Sequence, residues 1–146
     1  MKVYHQRWYI VGYIKELGGI RNIALDRTLE MNLSDISFTL PQNFNAEKYY
    51  ANSIGIYVNE ELKPTKVKIR AYGKQIEYLR SLPLHCSQKE SVSKYGDFCE
   101  FEYKLCLTPE LSTNILAMGE SVEVLEPIEL REDIKRRLEE CLTKYE

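Results

Sequence analysis

The sequence predicts an α+β protein: an N-terminal β-hairpin, then a βαββαβ unit, then a C-terminal helix. Three observations predict it. Two β-rich runs, VYHQRWYIVGYI at residues 3–14 and IRNIAL at 20–25, flank Leu17-Gly18-Gly19, a turn in which glycine tolerates positive φ. The runs VKIRAY at 67–72 and DFCEFEYKLCL at 97–107 alternate apolar and polar residues with the period of a strand. Residues 73–82, 109–118 and 128–145 carry apolar residues at helical spacing.

The 146 residues fit one ordinary domain or two small ones, and 44% hydrophobic with 29% charged residues excludes disorder. The apolar runs all fall short of the roughly 20 residues of a membrane span, and no secretion signal opens the chain. A cytoplasmic protein without a membrane partner is the expectation. The net charge of −2 excludes a wholly basic nucleic-acid coat and leaves room for a local basic patch. Cys86, Cys99, Cys106 and Cys141 form no C-x-x-C pair, so free thiols are expected and zinc is not.

Within 3–14, Tyr4, Gln6, Trp8, Ile10 and Gly12 would share one face of a single strand, and His5, Arg7, Tyr9, Val11 and Tyr13 the other. Neither face is wholly polar, so burial on both sides is expected. A third strand is predicted near Met31–Phe38. Pro41-Gln42-Asn43-Phe44-Asn45 reads as a linker, and the composition shift places a domain boundary near residue 41, giving segments 1–40 and 41–146. Asn45 is placed to cap a short helix, Ala46–Ala51.

The second sheet begins at Ile54–Asn59 or Val67–Ala71. In the helix over 73–82, Ile76, Leu79 and Leu82 form one side, and Pro83 stops it. Strands are expected at 86–93 and Asp97–Leu107, the latter with Cys99, Phe101, Tyr103 and Leu105 on its apolar face. Thr108-Pro109 opens a helix with a hydroxyl cap and a proline at its first position; Leu111, Ile115 and Met118 are its buried stripe and Gly119 its stop. Val122–Leu125 is the last strand. The order βαββαβ is that of a ferredoxin-like sandwich. The final helix runs from Ile128 to Tyr145 on a stripe of Ile134, Leu138, Cys141, Leu142 and Tyr145.

Trp8, the single tryptophan, is expected in the core. Tyr9 faces the other way with His5 and Arg7, and the hairpin partner could add Arg21. A phenol, an imidazole and guanidinium forks on one face suit an anion with planar groups, such as a nucleotide; the plain alternative is a solvated strand face with scattered charges. Arg27 is either a cross-strand ion-pair partner or the rim of a basic site. Residues 1–29 carry +3 and the other 117 carry −5, which puts an anion site at the N-terminal end. His85 and Cys86 would point to opposite faces of a strand, which does not suit a catalytic pair. No phosphate loop, metal motif or nucleophile elbow is present, so neither enzymatic activity nor a cofactor is expected.

RWYIVGY followed by IRNIALDRT resembles the second half of a WYL domain, with Trp8-Tyr9-Ile10 at the namesake and Leu25-Asp26-Arg27-Thr28 at the usual end of the partner strand. YYANSIGIY, VKIRAYGKQIEYLRSLPLHCSQ and ILAMGESVEVLEPIELREDI are similar to the C-terminal extension of WYL domains. The resemblance implies the end of an SH3/Sm-like β-barrel over 1–40 and a ferredoxin-like extension over 41–146. It implies a sensory and dimerisation fragment of a bacterial transcription regulator, whose winged helix-turn-helix domain and first barrel strands are not in this sequence. Tyr9 and Arg27 match the family's ligand-binding pattern directly; His5, Arg7 and Arg21 stand where basic residues are common, and Ala24 replaces a frequent arginine. The implied ligand is single-stranded nucleic acid or a nucleotide-like anion. A partial barrel leaves unpaired strand edges, which implies a homodimer or strand exchange. The alternative is a dimerisation module with no ligand site.

Overall fold

A computed structural model of the chain describes residues 1–38, 42, 44–92 and 96–146, Val92 by its backbone alone. Residue 41, where the sequence places a boundary, and residue 93, the expected end of a strand, lie outside the described residues. The protein is a mixed α+β chain, with two antiparallel sheets and four α-helices among the described residues. It divides into two units, Met1–Tyr50 and Ala51–Glu146.

In the first unit, β1 (Lys2–Tyr4), β2 (Arg7–Ile14) and β3 (Gly19–Ala24) form a sheet in that order. The single strand expected over 3–14 is therefore a hairpin. Its turn is His5-Gln6, with φ of 47° and 63°, the left-handed pair that a tight two-residue hairpin demands and that Asn-Gly ordinarily supplies. The turn from β2 to β3 is a 3-10 turn, Lys15–Leu17, closed by Gly18 at φ 60°. A second 3-10 turn, Leu25–Arg27, ends the hairpin. The strand expected near Met31–Phe38 is not formed; these residues are exposed and unpaired. The helix α1 (Ala46–Tyr50) starts where Asn45 Oδ1 accepts from Lys48 N at 2.9 Å.

The second unit follows the order β4 (Thr65–Tyr72), α2 (Lys74–Ser81), β5 (Lys89–Val92), β6 (Phe98–Leu105), α3 (Pro109–Leu116), β7 (Val122–Glu126) and α4 (Ile128–Leu142). Its sheet order is β5-β6-β4-β7, antiparallel throughout. Residues 54–59, the other candidate for a first strand, form none. Thr108 Oγ1 accepts from Leu111 N at 3.3 Å with Pro109 at the first helical position, as the sequence predicts.

Period 2 on the strands and 3.6 on the helices build one core. Val67, Ile69 and Ala71 of β4 and Cys99, Phe101, Tyr103 and Leu105 of β6 are buried against Ile76 and Leu79 of α2, Leu111 and Ile115 of α3, and Leu130 and Ile134 of α4. Leu82 departs from its predicted stripe, since it lies past the end of α2 and is exposed. Of the stripe predicted for the last helix, Ile134 is buried, whereas Leu138, Cys141, Leu142 and Tyr145 are exposed. The opposite face of the sheet is an ion-pair ladder: Lys68 Nζ is 2.5 Å and Arg70 Nη2 2.7 Å from Glu100, and Lys66 Nζ stands 3.3 Å from both Glu102 and Glu126.

Candidate functional site

The strand register decides which side chains of the hairpin meet. Residues directly opposite one another project to the same face. Lys2 opposes Tyr9, Tyr9 opposes Ala24, and Val11 opposes Asn22. Arg7, opposite Tyr4, shares that face. The other face carries Val3 opposite Trp8, Ile10 opposite Ile23, and Gly12 opposite Arg21. Arg21 is thus on the Trp8 face, away from Arg7 and Tyr9. Its guanidinium turns back to donate to Ile20 O at 2.9 Å and Leu17 O at 3.2 Å, closing the adjacent 3-10 turn. His5 lies in the β1–β2 turn, with its ring centroid 4.1 Å from that of Tyr4, and so sits at the edge of the Tyr9 face.

Burial is reversed from the sequence expectation. Trp8 is 53% exposed, so it is no core residue. Tyr9 is half-buried and Ala24 buried, because α1 reaches over their face: Lys2 Nζ lies 3.9 Å from the Tyr50 ring centroid, and Tyr50 Oη donates to Asn22 Oδ1. Among the described residues, the short helix α1 covers one face of the three-stranded sheet. The sequence shows Tyr50 only as one aromatic among many, and nothing short of the register reveals that it meets both Lys2 and Asn22.

Arg7, Asp26 and Arg27 gather at one end of the sheet. Arg7 Nε is 3.4 Å from Asp26 Oδ2, with both side chains about half exposed. Arg27 follows Asp26 in the exposed 3-10 turn. Two guanidiniums here offer forked donors to phosphate oxygens, with the Tyr9 phenol on the same face as Arg7. The Asp26 carboxylate engages the Arg7 guanidinium, so an anion binding there would have to displace it. In the sequence Asp26 stands only as the acidic neighbour of Arg27; the fold brings it to Arg7.

The His85-Cys86 pair lies in a turn rather than on a strand, with Cys86 Sγ 3.8 Å from His85 Nε2 and His85 Nδ1 2.9 Å from Ser87 Oγ. Partial burial holds the His85 imidazole below its usual pKa, against a raising contact with the Ala51 backbone.

The second unit, with its charge-laddered sheet and helix-covered apolar face, defines an α+β domain of βαββαβ order. A family model of the WCX domain, the C-terminal extension of WYL proteins, matches residues 63–142, and the chain belongs to that family. Among curated proteins none matches the chain. Among solved structures, proteasome accessory factor B/C (PafBC) of Arthrobacter aurescens is similar at 26% identity and a TM-score of 0.38, over 91% of this chain and 20% of that one. The chain therefore spans about a fifth of that structure's length. Among the described residues no helix is long and apolar enough to cross a membrane.

Proposed function

We propose that this chain is the ligand-sensing and dimerisation part of a bacterial WYL-type transcription regulator, non-enzymatic and cytoplasmic. Residues 41–146 are taken as a ferredoxin-like extension, a reading supported by the βαββαβ order and the strand order β5-β6-β4-β7. Residues 1–40 are taken as the end of an Sm-like barrel, supported by the three-stranded antiparallel sheet. The ligand is anionic and contains a nucleotide, such as single-stranded nucleic acid. Arg7 and Arg27 bind its phosphates, Tyr9 and His5 line the same edge, and Arg21 contributes from the opposite face by shaping the β2–β3 turn. The observation that carries this reading is the membership of residues 63–142 in the WCX family, following a unit in which Arg7 and Arg27 stand at one end of the sheet.

The test is calorimetric titration of single-stranded oligonucleotides into the wild type and into Arg7→Ala with Arg27→Ala. Loss of binding at an unchanged melting temperature supports the reading. Equal binding by both proteins refutes the assigned residues, and absence of binding by the wild type refutes the nucleic-acid ligand.

A second reading, a dimerisation module without a ligand, draws on the ion pair of Arg7 with Asp26, the local bonds of Arg21, and the Tyr50 contacts over the Tyr9 face. It requires that the double variant and the wild type behave alike toward every oligonucleotide.

A further inference from the structure

Among the described residues, two apolar surfaces of the first unit are left uncovered. One is the second face of its sheet, where Val3 (51% exposed), Trp8 (53%) and Ile23 (40%) surround the half-buried Ile10. The other is the extended segment that follows the hairpin. There Leu29, Met31 and Leu33 alternate with polar residues, and Ile36 and Phe38 do so again after Ser34-Asp35. All five are 72–106% exposed. The segment has the side-chain pattern of a strand without a sheet to pair with, and the sheet has an apolar face without a cover.

We propose that these surfaces cover one another between two copies of the chain, residues 29–38 of each lying across the Trp8 face of the other. The proposal rests on the dimerisation part of the reading above and names the surface that performs it. Three features support a second copy as the occupant. The first is area. At on the order of 100 Å² for a fully exposed aliphatic side chain and 200 Å² for an aromatic one, the Trp8 face together with Leu29, Met31 and Leu33, which an extended strand turns to one side, offers roughly 500 Å² of apolar surface per copy. Reciprocal docking doubles this to about 1,000 Å², the size of a weak, reversible interface. The second is charge. Residues 29–38 carry Glu30 and Asp35 and no cation, and the charged residue that β1–β3 place on the Trp8 face is Arg21. The third is length. Ten extended residues span about 33 Å, enough to run along the eight-residue β2. Reciprocity also makes the contact self-complementary about a two-fold axis and leaves no open end for further growth.

Leu33→Glu tests the proposal, because Leu33 is fully exposed and its replacement leaves the fold intact. Sedimentation equilibrium of the whole chain at 5–200 µM is run beside the emission of Trp8, the single tryptophan. Expected for the wild type is a dimer whose formation shifts Trp8 emission to the blue as concentration rises. In Leu33→Glu the association weakens at least tenfold and the shift moves to correspondingly higher concentration. A wild type that stays monomeric overturns this proposal and the dimerisation reading together. A dimer that Leu33→Glu leaves unchanged overturns this surface alone. A monomer whose Trp8 emission is blue-shifted at every concentration overturns it in favour of a cover from the same chain.

Discussion

Arg7 on β2 and Asp26 in the turn after β3 face one another at 3.4 Å, each with about half its side chain in solvent. An exposed pair of this kind contributes little to stability, about 0.2–1 kcal/mol. Its larger effect is to occupy the guanidinium on which the proposed site depends. Asp26→Asn is therefore expected to tighten oligonucleotide binding several-fold while shifting urea stability by no more than about 1 kcal/mol. Calorimetry and urea melts of the same preparation read both effects.

His5 and Gln6 hold the β1–β2 turn in left-handed backbone, which costs a non-glycine residue about 1–2 kcal/mol. Glycine relieves this and loses part of the gain through the entropy of the unfolded chain. Gln6→Gly is expected to stabilise the first unit by about 0.5–1 kcal/mol, seen as slower amide exchange in β1 and β2.

Phe101 is wholly buried at the centre of the second sheet, between Ile69 of β4 and Glu90 of β5 in register. Phe101→Ala removes that packing and is expected to cost about 3–5 kcal/mol. Phe101→Leu, which keeps most of the volume, is expected to cost distinctly less in the same denaturant titration.

Acid should act on the second unit in two stages. Partial burial lowers the His85 pKa, so the folded state favours neutral imidazole; that contribution is complete above the unfolded value of about 6.5 and fades as pH falls from there toward the folded value. The Glu100 carboxylate is held below its usual range first by Lys68 and then by Arg70, and Glu90 chiefly by Arg80. Their contributions are complete above about 4.3 and are lost as pH falls through the folded values. Melting temperatures measured from pH 8 to 3 should show both stages; His85→Asn removes the first, and Glu100→Gln weakens the second.

The second unit was largely legible because its signals are local. Alternation on β4 and β6, the Thr108-Pro109 cap and the stripe of Leu111 and Ile115 each fix one element, and the elements agree on one core. The first unit was less legible because its decisive feature has no sequence signature: His5-Gln6 carries neither the glycine nor the asparagine that marks a two-residue turn. Read as one strand, residues 3–14 put His5 on the Tyr9 face. The β2–β3 register, set by the Lys15–Gly18 turn, pairs Arg21 with Gly12 and so puts it on the Trp8 face, since a single-residue step exchanges the two faces of a strand. Which face is open depended on Tyr50 reaching Lys2 and Asn22, contacts set by tertiary packing. The segment Met31–Phe38, which reads as a strand, has no pairing partner among the described residues.

The measurement that bears most directly on the account is a titration of the chain with short single-stranded DNA and RNA at low and at moderate salt, followed through Trp8 fluorescence with calorimetry in parallel. The account predicts saturable binding whose logarithm falls with the logarithm of salt at a slope of about −0.7 for each phosphate contacted, so a slope near −1.4 for Arg7 and Arg27 together. No binding by either method at low salt would contradict it and leave the chain a dimerisation module.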